Sequence, residues 1–158
     1  RSATRGLDHG AWVPLSLMYP AADVPVMQIS IVHGAAPALH QQLGLALQAL
    51  RQEGVLVIGS GSLTHNLYEI RGHSADALAP AWVSDFGAWM RERLMANDRA
   101  GLLDYRELAT KAATNHPTEE HLLPLFVAMG AAGLDARASV LHTSIEHGVL
   151  AMDAYAFN

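Results

Sequence analysis

Residues 24–67, VPVMQISIVHGAAPALHQQLGLALQALRQEGVLVIGSGSLTHNL, decide the fold. The first part, 24–32, is short, β-branched and apolar on both parities, the pattern of a strand buried on both faces of a parallel sheet. Leu39, Leu43, Leu47 and Leu50 then recur at helical spacing up to Gly54, a residue suited to ending a helix. At 55–58, VLVI repeats the buried-strand pattern and breaks into the loop GSGSLTHN. Strand, helix and strand make a βαβ unit, and in open α/β sheets ligands gather at the carboxyl ends of the strands. The expected class is α/β: a central, mostly parallel sheet flanked by helices, in a single domain over residues 1–158.

Outward from this unit, residues 80–104 read as a helix with Trp82, Phe86, Trp89 or Met90 and Leu94 as its apolar stripe. LLPLFVAMGAAG reads as another, ended by Gly130 or Gly133, and ASVLHTSIEHGVLAMDAYAF as one or two closing strands. A 158-residue chain that is 51% apolar can bury a sizeable core. Its net charge of −5, with a single lysine and no basic stripe, argues against a nucleic-acid partner. No apolar run is long enough to span a bilayer and none resembles a signal peptide, so a cytoplasmic protein without a membrane partner is expected. The opening on Arg1, running straight into LDHGAWVPL, suggests a fragment.

With no cysteine, histidine and carboxylates are the strong metal ligands left, and the chain has nine histidines. His65 sits in the 59–66 loop, where Gly59 and Gly61 permit tight or left-handed backbone; the loop lacks the ending of a phosphate-binding loop. An imidazole there could shuttle a proton near neutral pH or satisfy loop backbone groups. In NHPTEEHLLPLF, Pro117 suits a first helical position, making His116 the N-cap and Glu119 the third residue. His121, with Glu120 beside it, is open to metal binding, acid–base work or a structural role. Asp8 and His9 precede Gly10 in a region without clear period, either lining a site or forming a turn. His142 and His147 fall in the closing strands with structural roles, and His33, His40 and His73 read as surface or loop residues.

Four segments, GLDHGAWVPLSLMYPAADVPVMQISI, GSGSLTHNL, HPTEEHLLPL and EHGVLAMDAYAF, in this order and spacing resemble the DODA-type class III extradiol ring-cleavage dioxygenases, the 4,5-DOPA dioxygenase-like group. The resemblance spans the chain. It implies a non-heme Fe(II) site, sometimes found with zinc, and a reaction that opens a small aromatic diol, a catechol, with O₂ as co-substrate. On this resemblance His121 falls at a metal-ligand position, with Glu120 as the alternative ligand. His65 falls at an active-site histidine, a catalytic base and in zinc-bound descriptions a second candidate ligand. His9 falls at another active-site histidine, a hydrogen-bond donor to substrate or bound oxygen.

The departure from the family pattern is N-terminal. Family members begin with strands ending in His-Gly-Ser-Pro and His-Trp, which supply two histidine ligands, and neither motif is in this sequence. The expectation is therefore the C-terminal portion of a longer catalytic domain, needing an N-terminal half in cis or in trans, with homo-oligomerisation also open. Unpaired apolar sheet edges should then aggregate or pair. Two other readings are a truncated, non-catalytic binding or oligomerisation module on the same fold, and a zinc-dependent hydrolase-like protein.

Overall fold

The structure is a computed structural model and describes residues 4–158. Two compact units divide the chain, residues 1–31 and 32–158.

In the first unit, helix α1 (His9–Met18) starts because the Asp8 carboxylate accepts the Ala11 N–H at 3.2 Å, meeting one of the donors a helix start leaves unpaired. Asp8 also makes a reciprocal pair with Gln28: its N–H donates to Gln28 Oε1 (2.9 Å), and Gln28 Nε2 donates to Asp8 Oδ2 (2.7 Å). Pro14 lies inside the helix, and no residue of α1 is buried. The stretch after α1 carries exposed Val24, Val26, Met27 and Ile29.

The second unit holds the core. Helix α2 (Pro37–Leu47) continues as a 3-10 helix (Gln48–Glu53) that ends on Gly54 at φ +77°, the expected left-handed stop. Helix α3 (Ala81–Ala96) stops at Asn97, φ +54°, and the Asp98 carboxylate caps α4 (Arg99–Leu103) by accepting Gly101 N–H. The expected 80–104 helix is thus two. The buried face of α3 is Val83, Phe86, Gly87, Met90 and Leu94, with Trp82 and Trp89 beside it rather than in it.

Short helices α5 (Tyr105–Leu108) and α6 (Ala112–Asn115) lead to α7 (Leu123–Ala131). Helix α7 packs along α2 so closely that the backbones meet at Gly44 and Gly130; a Cβ on Gly44 would stand 2.9 Å from the Gly130 Cα and 2.7 Å from the Ala131 nitrogen. Strands β1 (Ala138–His142) and β4 (Ala154–Phe157) pair antiparallel, as do β2 (Ile145–Glu146) and β3 (Leu150–Ala151).

The central parallel sheet is not present among the described residues, whose sheets are these two antiparallel pairs. Neither 24–32 nor 55–58 joins a ladder. A strand exists only by pairing, and no described segment supplies these with a neighbour. They keep the composition of buried strands while Val55, Leu56 and Ile58 stand 43%, 64% and 46% exposed.

Candidate active site

Two segments of the second unit build the site, the 59–66 loop and the 115–124 connection into α7. Gly59 and Gly61 are needed for close approach rather than for left-handed backbone, since neither has positive φ. A Cβ on Gly59 would strike the Pro124 carbonyl, and one on Gly61 the carbonyl of His121. Hydrogen bonds then close the two segments together. Ser62 N–H donates to His121 O (2.9 Å), His116 Nε2 meets Leu63 O (2.8 Å), His65 N–H donates to Asn115 O (3.0 Å), and Asn66 Nδ2 donates to Thr114 O (2.6 Å). On its other side the loop is held by β3: Leu63 N–H donates to Ala151 O, and Thr64 Oγ1 both donates to Val149 O (2.8 Å) and accepts Ala151 N–H (2.7 Å).

The result brings together two of the histidines expected to act. The rings of His65 and His121 stack with centroids 3.4 Å apart and planes 13° from parallel. Glu120 Oε1 lies 3.4 Å from His121 Nδ1 and accepts the Thr118 hydroxyl at 2.7 Å. Burial alone would raise the Glu120 carboxyl, but the Thr118 hydroxyl, its own backbone N–H and the neighbouring His121 and His65 hold it below the usual range. Its charged form thus faces the imidazole pair at neutral pH.

Three expectations are corrected here. His116 does not cap α7: it is the C-cap of α6 and fully buried, and residues 117–122 form turns, while Pro124 occupies the helix start assigned to Pro117. Glu119 closes no cap either; its Oε1 accepts the hydroxyl of buried Tyr105 at 2.7 Å, and burial, then this carboxylate, push the phenol up. His40, expected at the surface, is wholly buried, its Nε2 accepting Val32 N–H (3.1 Å) and its Nδ1 meeting Ala36 O (3.0 Å). The buried His116 was the main omission. Its only sequence signal was the neighbouring proline, which pointed to a cap.

His142 meets Ser144 Oγ at 3.0 Å at the end of β1, and His147 turns the β2–β3 hairpin at φ +52°. His9 is the exposed first residue of α1 in the 1–31 unit.

As a metal centre the described residues fall short. None of them form a group of three or more His, Asp or Glu side chains able to hold an ion. Nearly parallel rings with centroids 3.4 Å apart also do not aim two nitrogen lone pairs at one ion about 2 Å from each. His121 and Glu120 do stand side by side in this unit, Nδ1 and Oε1 3.4 Å apart.

Residues 1–157 match the family of the catalytic LigB subunit of aromatic ring-opening dioxygenase, and the chain is a member of it. It is 44% identical over 153 residues to the 4,5-DOPA dioxygenase extradiol of Beta vulgaris, covering 97% of this chain and 56% of the relative. To the protein of that name from Escherichia coli K12 it is 34% identical, covering 93% of this chain and 55% of the relative. The crystal structure of an uncharacterized Escherichia coli K12 protein superposes with a TM-score of 0.82 at 31% identity, over 98% of this chain and 64% of that one. The chain therefore spans about half the length of the curated relatives it matches. No helix among the described residues is long and apolar enough to cross a membrane.

Proposed function

We propose that this chain is the C-terminal part of an extradiol dioxygenase that opens the ring of a small catechol, with His65 as its acid–base residue and His121 as a metal ligand. The carrying observation is the stacked His65–His121 pair, strapped together by backbone bonds in a chain of the LigB family. The metal, Fe(II) or in its place zinc, would supply open positions that hold the two diol oxygens beside O₂. His65, half-buried and beside the ligand, would take a proton from a diol hydroxyl and return one later, work suited to an imidazole near neutral pH. Glu120 is the alternative ligand, and His9 the hydrogen-bond donor to substrate or oxygen.

The missing ligands are assigned to the part of the family domain that this chain does not span, joined in cis or bound in trans. The unladdered, exposed apolar run at 55–58 supports this, because such an edge favours pairing with another strand. Pairing with a second copy is the other occupant. A second reading on the same fold is a non-catalytic binding module.

Anaerobic loading with Fe(II), then a catechol and air, separates the readings, run on the chain alone and with a segment carrying His-Gly-Ser-Pro and His-Trp. Yellow ring-opened product only when that segment is present is the expected outcome. No product in either arm leaves the non-catalytic module, and turnover of an ester or amide with zinc but none with iron and O₂ makes the protein a hydrolase. His65→Ala should abolish product with little change in folding, and His121→Ala should lower metal content; unchanged metal would refute the ligand role.

A further inference from the structure

His116 is wholly enclosed, packed edge-on to Tyr105 with ring centroids 6.5 Å apart and tilted against Phe86 at 5.8 Å. A carbonyl can only accept, so the 2.8 Å contact of His116 Nε2 with Leu63 O makes Nε2 the protonated nitrogen. Nδ1 is buried without a hydrogen-bond partner among the described residues, so this bond is the ring's one polar tie there. Burying a polar side chain for a single bond is costly, and an apolar residue of similar size would fill the space more cheaply. What the bond adds is position. It falls between the Ser62–His121 and His65–Asn115 backbone bonds, where no backbone donor of the 115–121 segment reaches Leu63 O. His116 is itself held in place, its carbonyl accepting Arg106 Nη1 at 2.9 Å.

We propose that His116 is a positioning residue of this site: its buried imidazole, through the Nε2–H bond to Leu63 O, holds the loop carrying His65 in register with the segment carrying His121. The stacking of the two outer histidines then depends on a third that touches neither substrate nor metal. This rests on the reading of His65 and His121 as the working pair.

The test is nuclear magnetic resonance of the full chain with isotope-labelled histidine, which needs neither metal nor turnover. Long-range proton–nitrogen spectra of the unsubstituted protein should show His116 as the Nε2–H tautomer; the Nδ1–H tautomer would overturn the proposal. Stacking shields the ring protons of His65 and His121. In His116→Gln, whose amide nitrogen reaches about where Nε2 stood, that upfield displacement should persist. In His116→Leu, of similar bulk without a donor, it should be lost while the methyl signals of Leu102 and Val149 stay in place. Retention of the stacked shifts in a folded His116→Leu protein, or their loss in the Gln variant too, would refute the donor's role. Should the Leu variant not fold, the tautomer and the Gln variant decide. Failure of His65→Ala to affect turnover would instead undo the catalytic reading and leave this one standing.

Discussion

Gly61→Ala tests the closeness of the two segments. A Cβ built at Gly61 meets the His121 carbonyl, its carbon at 3.0 Å and its oxygen closer still, with Pro124 Cγ at 3.6 Å. The obstacle is backbone, so no rotamer change can relieve it. Overpacking of this kind costs ~1–3 kcal/mol. Pushing the strands of chain apart also weakens the Ser62–His121 bond, 2.9 Å long, at about 1 kcal/mol. Alanine restricts the unfolded chain and returns ~0.4–1 kcal/mol, because φ here is not in the left-handed region. The net loss is about 1–3 kcal/mol, which at a urea slope of ~1–3 kcal/mol per molar lowers the unfolding midpoint by roughly 1 M. Gly6→Ala, where nothing lies within 4 Å and φ is likewise not left-handed, is the control and should not destabilise, gaining at most the same ~0.4–1 kcal/mol. A Gly61→Ala midpoint indistinguishable from that control would show that the loop does not lie against His121 as described.

Burial chiefly, with some help from the neighbouring His65, His121 and Arg106, pushes His116 down to about 4 against the ordinary 6.5. The folded state thus resists a proton that the unfolded state accepts, so this contribution is complete above pH 6.5 and is lost as pH falls towards 4. Between pH 7 and 5 the loss attributable to His116 should be about 2 kcal/mol; urea midpoints of the wild type and His116→Gln at both pH values check it, and equal pH slopes would refute it. Tyr105→Phe keeps the stacking on Phe126 but leaves Glu119 without its 2.7 Å donor. It should destabilise by ~1.5–3 kcal/mol in the same assay, and a neutral result would mean that solvent replaces the hydroxyl.

What could be read from the sequence was what neighbours in the chain decide. The α2 helix and its stop at Gly54 followed from leucine spacing and one glycine, both local signals. The runs at 24–32 and 55–58 have strand composition, but pairing is not local, and the described residues contain no partner for them. His65 and His121 stood out as imidazoles in a strand-end loop and beside a carboxylate, and the family resemblance gave them roles; that their rings stack depends on contacts between residues more than fifty positions apart. His40 could not be told from a surface histidine, because which face of α2 is buried is decided by packing on distant α7. The helix-start rule met two prolines in the same region, and the chain uses Pro124, not Pro117.

That misplaced helix start explains why a site can exist here at all. Had α7 begun at Pro117, the His121 carbonyl would have been taken by the N–H of Leu125 four residues on. Instead Leu125 N–H bonds back to Leu122 O at 3.0 Å, and the His121 carbonyl accepts Ser62 N–H. Helical spacing would also have turned Glu119 and Glu120 onto faces 100° apart with no regard for their partners. In the turns at 117–122, Glu119 reaches Tyr105 while Glu120 stays beside His121. Of the backbone groups that join the two histidine-bearing segments, the His121 carbonyl is the one a longer helix would have consumed. The six residues between His116 and Leu123 therefore give up a helical turn, and that release makes the His65–His121 pair.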